Sequence, residues 1–392
     1  MFETLQAPPA DKILSLIAAY AADPREGKVD LGVGVYRDPT GATPILASVR
    51  EAERRLLETQ KTKAYLGIAG DPAFCKAVQT LIFGTDAPHD RLKALQTPGG
   101  SGALAITMGF AAKLSQRLHI PSPSWGNHAA IARSVGFEIV QYPYYDAATG
   151  SVNFSAMKAA LEKAAEGDVI LLHGCCHNPT GADLNKDQWA EVAEILIARK
   201  LLALVDIAYQ GFGDGLEEDG WSVRYLAGRL PEMLVASSCS KNFGIYRDRT
   251  GAAFVLGKTA EEAAVAQAQI MVVARTSYSM PPDHGAAVVR IILEDEALAA
   301  QWRDEVETMR QRITGLRKAL SEAFRLRTNS NAYDFLMESR GMFSLIGVTE
   351  AQARRLREEF AIYLVDDGRI NIAGLREDQV ETFVEAVVTV KG

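Results

Sequence analysis

The sequence predicts an α/β protein whose central sheet is mostly parallel and is covered by helices on both faces. Short apolar segments alternate with helical segments from about residue 95 to residue 257, which is the pattern of successive βαβ units. The segments at residues 168–172, 201–205 and 234–238 are rich in apolar or small residues, as expected for strands buried on both sides. Ligands of such sheets bind beyond the carboxyl ends of the strands, so we expect the functional residues there.

The composition is that of a globular protein with room for two or three structural units. The chain has 392 residues, of which 48% are hydrophobic and 23% are charged, and its formal net charge is −7. This acidic balance argues against a nucleic-acid-binding protein, and no apolar run approaches the length of a membrane span. Four cysteines, two of them adjacent, indicate free thiols. Because the first residues carry no apolar signal region, we expect a cytoplasmic protein.

The first part of the chain contains two predicted helices and one strand. Met1–Pro9 is polar, ends in paired prolines and is predicted as an extended arm. Helical periodicity runs over Asp11–Ala22 and again over Ser48–Thr59. Val29–Tyr36 is predicted as a strand, and its two glycines indicate that a ligand or another backbone comes close.

Glycine-rich segments follow at positions that suit ligand binding. Ala64–Gly70 is a turn that carries one tyrosine, Tyr65. Thr97–Ala103, with the sequence TPGGSGA, leads into an apolar helix predicted over Leu104–Leu114. Glycines before a helix present free backbone N–H groups to an anion, so phosphate binding is one hypothesis for this loop. Gly251–Thr259 misses the P-loop spacing by one residue and is predicted as a strand and loop.

Two further loops carry residues that suit a ring or a metal. Ile120–His128 contains Trp125, whose indole either fills the core or stacks on an aromatic ring. His173–Gly181 has the sequence HGCCHNPTG, and the peptide bond before Pro179 is a candidate for the cis form. Because no second Cys or His pair stands at zinc spacing, we predict no metal site.

The segment Val235–Arg249, VASSCSKNFGIYRDR, is the best candidate for the chemistry. The end of a strand gives way to hydroxyl-bearing residues, one lysine, Lys241, and a closing arginine, Arg249. Hydroxyls and an arginine can hold a phosphate dianion, and a lysine amine beside it can condense with the aldehyde of pyridoxal phosphate. A strand end followed by a solvated basic loop is the alternative explanation.

One acid and two arginines complete the set of candidate residues. Asp206 ends an apolar strand, where it needs either a backbone cap or a cationic ring nitrogen as its partner. Arg275 stands between an apolar run and a double proline, and Arg369 opens an apolar strand. Both arginines lie against apolar sequence, so we expect each of them to have an anionic partner.

Together these motifs closely resemble those of the class I aminotransferases that act on aspartate and aromatic amino acids. The resemblance runs from LGVGVYRD at Leu31 to RINIAG at Arg369, which is nearly the whole chain. The matching motifs are AYLGI, TPGGSGA, SPSWGNH, LLHGCCHNPTG, DIAYQGFGDGLEED, SSCSKNFGIYRDR, YSMPP and GMFS. The resemblance implies a fold-type I pyridoxal 5′-phosphate enzyme with amino acid and 2-oxo acid substrates. It also implies a homodimer whose active sites share residues of both subunits.

This family organisation gives three sequence regions. Residues 1–42 would form the N-terminal arm and the first part of a small domain, and residues 43–300 the large cofactor-binding domain. Residues 301–392 would form an interdomain helix and the rest of the small α/β domain. A long charged pattern over Ala297–Phe324 predicts that helix, and strands are predicted at residues 341–347 and 362–365.

The resemblance also implies a role for each candidate residue. Lys241 would form the Schiff base with the cofactor and shuttle the proton, and Asp206 would pair with the pyridine N–H. Arg369 would bind the substrate α-carboxylate, Arg275 of the other subunit its side-chain carboxylate, and Gly34 would permit closure of the small domain. The other implied cofactor contacts are Tyr209 and Asn178 at the phenolic oxygen, Trp125 on the ring, and Gly100, Ser101, Ser238, Ser240, Arg249 and the partner's Tyr65 at the phosphate.

Departures from the aspartate-enzyme pattern favour aromatic substrates. Met280 replaces a polar asparagine, Cys239 replaces an aromatic residue, and Ser101 replaces a threonine. We expect Met280 to lie near Arg275, where an adaptable apolar side chain suits a pocket that also admits aromatic rings. The predicted activity is transamination of tyrosine, phenylalanine and aspartate with 2-oxoglutarate. The alternative is an aspartate aminotransferase with little aromatic activity.

Two other classes fit the sequence less well. Ser238-Cys239-Ser240-Lys241 matches the SxxK pattern of serine hydrolases, but the companion Ser-Asp-Asn and Lys-Thr-Gly motifs are absent. A pyridoxal-binding transcription regulator would need a DNA-binding domain before the aminotransferase fold, and only an arm of about ten residues precedes the first predicted helix.

Overall fold

The computed structural model describes residues 2–7 and 12–392. These residues contain thirteen strands and fourteen α-helices, joined by turns and loops. The strands are β1 (Val29–Asp30), β2 (Leu92–Pro98), β3 (Arg117–Ser122), β4 (Glu138–Pro143), β5 (Tyr145–Asp146), β6 (Ser151–Val152), β7 (Val169–His173), β8 (Leu202–Ile207), β9 (Met233–Ser238), β10 (Thr250–Leu256), β11 (Phe343–Leu345), β12 (Ile362–Tyr363) and β13 (Arg369–Asn371). The helices are α1 (Lys12–Ala22), α2 (Ala47–Thr59), α3 (Pro72–Phe83), α4 (Gly99–Ala111), α5 (Gly126–Ser134), α6 (Phe154–Leu161), α7 (Lys186–Ala198), α8 (Leu216–Arg229), α9 (Ala260–Ser277), α10 (His284–Glu294), α11 (Glu296–Thr328), α12 (Phe335–Glu338), α13 (Glu350–Phe360) and α14 (Val380–Lys391).

The central sheet has seven strands in the order β2-β10-β9-β8-β7-β3-β4. Neighbouring strands from β9 to β4 pair in parallel, whereas β10 runs antiparallel to both β9 and β2. The prediction of a mostly parallel sheet is therefore confirmed. Parallel pairs need crossover connections, and α7 and α8 supply two of them on the way from β7 through β8 to β9.

Side chains that alternate along the strands fill two cores, one on each face of the sheet. On β9, Leu234 and Ala236 join the core that α4 and α9 cover, while Met233 and Val235 join the larger core on the opposite face. Both faces are buried, which explains why the strand segments read as apolar runs rather than as alternating patterns. The prediction of helices on both faces is confirmed.

The two ends of the described chain meet in a second, smaller unit. Strand β1 pairs in parallel with β12, and β11 pairs antiparallel with β13. The 33-residue helix α11 packs against α10 beside the central sheet and against α12 and α14 of this unit. The long predicted helix is thus present, and it connects the two parts of the molecule.

Two predicted elements differ from the structure. The strand predicted over Val29–Tyr36 ends at Asp30, because the Asn371 side chain, and not a neighbouring strand, donates to the carbonyl oxygens of Val33 and Val35 at 2.7 Å each. The helix predicted from residue 104 begins at residue 99, so the glycine loop forms its first turn. These glycines allow close packing: a Cβ on Gly100 would lie 3.0 Å from the Cβ of Ser238.

Part of the predicted N-terminal arm lies within the described residues. Phe2–Thr4 forms one 3₁₀ turn and not extended chain, residues 2–7 are exposed, and the rest of the arm lies outside the described residues. No helix in the described parts of the chain combines the length and apolar character that crossing a bilayer requires. All four cysteines, Cys75, Cys175, Cys176 and Cys239, are buried and free.

Candidate active site

A cavity of about 210 Å³ lies at the carboxyl ends of β7, β8 and β9. Its walls are the first turn of α4, the residue before α5 and the loops that follow the three strands. Ten of the eleven residues predicted to hold the cofactor line it: Gly100, Ser101, Trp125, Asn178, Asp206, Tyr209, Ser238, Ser240, Lys241 and Arg249. Four residues without a predicted role complete the walls: Leu104, His173, Cys175 and Ala208.

Asp206 places an anion in the wall of this cavity. It lies near the end of β8 with its side chain 12% exposed, and its Oδ2 accepts a hydrogen bond from His128 Nε2 at 2.9 Å. Burial alone would raise the pKa of this carboxyl, but the His128 hydrogen bond and the nearby positive charges outweigh it, and the pKa is lowered. The protein partner of Asp206 is thus an imidazole, and not the backbone cap that the sequence left open.

A serine and a second histidine surround the histidine that binds this carboxylate. Ser124 Oγ lies 2.9 Å from His128 Nδ1 and 3.3 Å from His173 Nε2. Burial and the charge of His128 lower the pKa of His173 to about 3 despite the opposing charge of Asp206, so the His173 ring is neutral. The contacts of His128 fix its orientation, and with it the orientation of Asp206.

Lys241 follows β9 by three residues and places an amine in the wall of the cavity. Its Nζ lies 5.1 Å from the centre of the Tyr209 ring. Burial lowers the pKa of the Lys241 ammonium to about 8, because the charge of Asp206, which favours the ammonium, only partly offsets the loss of hydration, and Arg249 opposes it. Roughly a tenth of this amine is therefore neutral and nucleophilic at pH 7, far more than for a lysine in water.

The first turn of α4 forms an anion cradle with two neighbouring loops. The residue before the helix, Pro98, supplies no side-chain cap, so the first N–H groups of the helix remain available to a ligand. Ser238 packs against Gly100, and the Arg249 guanidinium lies so close to Gly99 that a Cβ there would be 2.7 Å from Nη2. Backbone N–H groups, hydroxyls and a guanidinium are the donors that bind phosphate.

Arg369, on β13, lies beside the cavity in contact with Asn178, one of the residues that line it. Its Nη2 donates to the Gly32 carbonyl oxygen at 2.8 Å and its Nη1 to Asn178 Oδ1 at 3.4 Å. Asn178 in turn donates to Tyr209 Oη at 3.3 Å, which links the arginine to the cavity wall. Burial lowers the pKa of the Arg369 guanidinium, as expected for a desolvated cation.

Besides Arg369, three predicted site residues do not line this cavity in the single chain: Gly34, which faces the Phe343 ring, Tyr65 and Arg275. Tyr65 is 90% exposed and does not line it. Arg275, in the last turn of α9, is also exposed, and its Nη1 lies in hydrogen-bonding contact with Ser279 Oγ and 3.8 Å from Met280 Sδ. Met280 is thus near Arg275, as the sequence predicts. We expected Arg275 to have an anionic partner, but no carboxylate among the described residues pairs with it.

A family model described as aminotransferase class I and II matches residues 26–387. The chain is also 48% identical over 387 residues to the aromatic-amino-acid aminotransferase of Paracoccus denitrificans, covering 98% of each sequence. The chain belongs to the class I and II aminotransferases.

Other aminotransferases are similar over the whole length. The aspartate aminotransferase of Escherichia coli strain K12 is 44% identical over 395 aligned residues, with full coverage of both chains. A crystal structure of the aromatic-amino-acid aminotransferase from Burkholderia pseudomallei, covalently bound to pyridoxal phosphate, has a TM-score of 0.96 and 43% identity. That comparison covers 100% of this chain and 99% of the other. This structural similarity confirms the predicted fold-type I architecture.

Three residues in or beside the cavity of this aminotransferase had no predicted role: His128, His173 and Cys175. His128 lies three residues after Trp125 on the first turn of α5, so the helical repeat points both toward the same side. His173 is the last residue of β7, beside Asp206 on β8. Cys175 follows in the loop. The one sequence signal for His173 as a site residue is its place directly after a predicted parallel strand. No sequence signal links His128 to Asp206.

One cluster of potential metal ligands occurs among the described residues: Cys175, Cys176 and Asp219. The Asp219 carboxylate accepts N–H groups from Gly211, Gly213 and Asp214 at 2.8–2.9 Å. Burial raises the pKa of Asp219 to about 7. The hydrogen bond to Cys176 lowers the pKa of the Cys175 thiol, but burial and the nearby carboxylates together raise it to about 12. The three backbone bonds give Asp219 a role in holding the loop after β8.

Proposed function

We propose that this chain is a pyridoxal 5′-phosphate-dependent aminotransferase that transfers amino groups from tyrosine, phenylalanine and aspartate to 2-oxoglutarate. The observation that carries the proposal is the cavity itself. A partly neutral lysine amine, an anionic carboxylate and an anion cradle face one space of about 210 Å³. The relatives named aromatic-amino-acid, tyrosine and aspartate aminotransferases support these substrates.

The donor groups fit the parts of the proposed cofactor. Ser101, Ser238, Ser240, Arg249 and the N-terminus of α4 would hold its phosphate, where Gly100 leaves room that a Cβ would fill. The residues proposed for the ring are Asp206 at its nitrogen, Asn178 and Tyr209 at its phenolic oxygen, and Trp125 on its face. Bound pyridoxal phosphate supplies an aldehyde for amine exchange and a ring that accepts electron density when Cα loses a proton.

The side chains of this protein would bind, orient and transfer the proton. Lys241 would hold the cofactor covalently and, once displaced by the substrate amine, would move the proton between Cα and the cofactor carbon. Asp206 would keep the ring nitrogen protonated, because an anion stabilises the cationic nitrogen. Arg369 would orient the substrate through a planar pairing with its α-carboxylate.

Substrate breadth would be decided around Arg275. A dicarboxylate needs a cation at its distal end, whereas an aromatic ring needs an apolar surface. Met280, 3.8 Å from the Arg275 guanidinium, supplies that surface and supports activity with both classes. The second candidate function is an aspartate aminotransferase with little aromatic activity, favoured by the presence of Arg275 and by the aspartate-enzyme relatives.

We further propose a homodimer with shared active sites and two domains per subunit. The 90% exposure of Tyr65 and the exposure of Arg275 leave both side chains available to the cavity of a partner subunit. The pairing of β1 with β12 supports a small domain built from residues 1–42 and 301–392, with residues 43–300 as the large domain.

The cytoplasm remains the predicted compartment.

A panel of half-reactions tests the function. The purified, cofactor-loaded protein is mixed with tyrosine, phenylalanine or aspartate, and the change in cofactor absorbance is followed before 2-oxoglutarate is added. We expect conversion with all three amino acids and reversal by 2-oxoglutarate. Conversion by aspartate alone would favour the second candidate. Full transamination by a Lys241→Ala variant would contradict the assignment of the catalytic amine.

A further inference from the structure

The Phe343 ring lies between three groups of the candidate site. It is the first residue of β11 and is 2% exposed. The guanidinium carbon of Arg369 lies 4.5 Å from the ring centroid, and the Tyr209 ring meets it edge-on at 5.9 Å and 87°. On a third side, a Cβ added to Gly34 would lie 2.9 Å from the Phe343 Cζ. The ring therefore has contacts that fix both its position and its tilt.

Arg369 depends on this ring because it has no carboxylate partner among the described residues. The arginine is 6% exposed, its two Nη groups donate only to the oxygens of Gly32 and Asn178, and its Nε is buried without a partner in the same part of the chain. A buried cation without a counterion is costly, and an aromatic face is one of the few groups that compensate it. The guanidinium is thus held in place while its charge stays available to a carboxylate.

The position of the ring is in turn set by the sheet and by α11. Leu345 of β11 pairs with Arg369 of β13, so Phe343 and Arg369 are diagonal neighbours, close enough for long side chains to meet. Arg317 of α11 is fully buried, and its Nη2 donates to the carbonyl oxygens of Phe343 and Gly341 at 2.7 and 2.8 Å. The backbone beneath the ring is therefore rigid.

We infer that Phe343 is a positioning residue for substrate recognition. Its face holds the Arg369 guanidinium in the plane that pairs with the substrate α-carboxylate, its edge contact holds Tyr209, and it fits because residue 34 is glycine. This inference rests on the proposed function, in which Arg369 binds the α-carboxylate. It adds that the aromatic face at residue 343, and not burial alone, sets the affinity for that carboxylate.

The first test compares Phe343→Leu with Phe383→Leu, which removes a fully buried ring from α14 in the same unit. Phenylalanine and 2-phenylethylamine, which lacks the α-carboxylate, are compared in single-turnover half-reactions of the loaded enzyme. Loss of a desolvated cation–π contact should weaken phenylalanine by roughly 10–30-fold, mainly in KM, and leave 2-phenylethylamine unchanged. Phe383→Leu should change neither. Equal losses with both amines, or no loss, would overturn the inference.

The second test uses the contact with Gly34. Gly34→Ala should displace the ring and weaken phenylalanine as well, because its Cβ would lie 2.9 Å from Cζ. Leucine has no atom at the Cζ position, so adding Gly34→Ala to Phe343→Leu should cause no further loss. Additive losses would mean that Gly34 acts on something other than the ring, and the proposed fit would be wrong.

A binding measurement separates this inference from the proposed function. Calorimetry with 3-phenylpropionate, which has a carboxylate and no amine, needs no turnover. Phe343→Leu should weaken its binding roughly 10–30-fold, and Phe383→Leu should not. If the wild type binds the probe in this manner but transfers no amino group, the proposed function fails and the role of Phe343 stands. If both Phe343→Leu and wild type bind it equally, the role of Phe343 fails. If Phe343→Leu is partly unfolded, Gly34→Ala decides the matter, because it keeps the ring but displaces it. It should also weaken binding of the probe, and binding equal to that of wild type would overturn the inference.

Discussion

The protonation of one amine should control how the apoenzyme takes up its cofactor. The pKa of Lys241 is lowered to about 8 by burial, against the attraction of Asp206 and with the repulsion of Arg249. Below that pH the amine is protonated and cannot attack an aldehyde. We expect the rate of covalent uptake of pyridoxal phosphate to rise about tenfold per pH unit below pH 8 and to level off above it.

Stopped-flow absorbance of the lysine-linked cofactor across pH 6 to 10 would measure this dependence. An apoenzyme whose uptake midpoint lay near 10.5, the ordinary value for a lysine, would show that the amine is not desolvated as described. Lys241→Ala should bind the cofactor without forming the linked absorbance band.

Arg275 gives a residue-scale prediction about selectivity. Arg275→Leu should lower kcat/KM for aspartate far more than for phenylalanine, because only aspartate has a distal carboxylate to pair with the guanidinium. A hydrogen bond to a charged group is worth about 1.5–3 kcal/mol, so the ratio should shift by roughly 10–150-fold. Arg354→Leu, on the exposed face of α13, is the matched control. Equal losses on both substrates would mean that Arg275 has a structural role.

The residues of the site were predictable where chemistry and chain position coincide. Lys241 and Asp206 follow or end apolar strands, which is why the sequence indicated them. The hydrogen bond of His128 to Asp206 joins residues 78 positions apart, and the contact of Phe343 with Arg369 depends on strand register. Periodicity and composition do not show which residues distant in sequence come into contact. The roles of His128 and Phe343 were therefore found only from the structure.

At the scale of one element, the first turn of α4 should decide cofactor affinity. Gly100→Ala would place a methyl group 3.0 Å from Ser238 Cβ, in the cradle proposed for the phosphate. We expect the Kd for pyridoxal phosphate to rise at least about tenfold, because even one charge-assisted hydrogen bond lost from a phosphate has that effect. Gly228→Ala on α8, where a Cβ meets nothing within 4 Å, should leave the Kd unchanged. Similar affinities in both variants would remove the cradle from the proposed site.

Some of the helices and several of the sheet strands were predictable because their patterns are local. The charged helix α11 and the apolar strands β7, β8 and β9 lie within a few residues of their predicted bounds. The failures have a non-local cause: residues 31–36 resemble a strand, but the Asn371 side chain binds the carbonyl oxygens of Val33 and Val35. The glycines of α4 were similarly predicted as a loop, since the neighbours that favour close packing are distant in sequence.

At the scale of the whole molecule, mixed dimers test the sharing of active sites. Lys241→Ala and Arg275→Leu subunits, each weak or inactive with aspartate alone, are mixed under conditions that allow exchange. A mixed dimer would contain one site with both mutations and one with neither. Random exchange should restore about a quarter of wild-type aspartate activity. Mass spectrometry would verify that mixed dimers form, and their formation without restored activity would mean that each site is built from one subunit.

The pairing of β1 with β12 has a consequence for how the protein is made. Ile362 follows its partner Val29 by 333 residues, so the first strand to leave the ribosome is among the last to find its place. At about 5–20 residues per second, roughly 15–70 s separate the synthesis of the two strands. During that interval the central sheet can assemble, whereas the beginning of the chain waits in an unpaired state. Shortening the nascent chain before residue 362 would leave this segment as a site for chaperones or proteases.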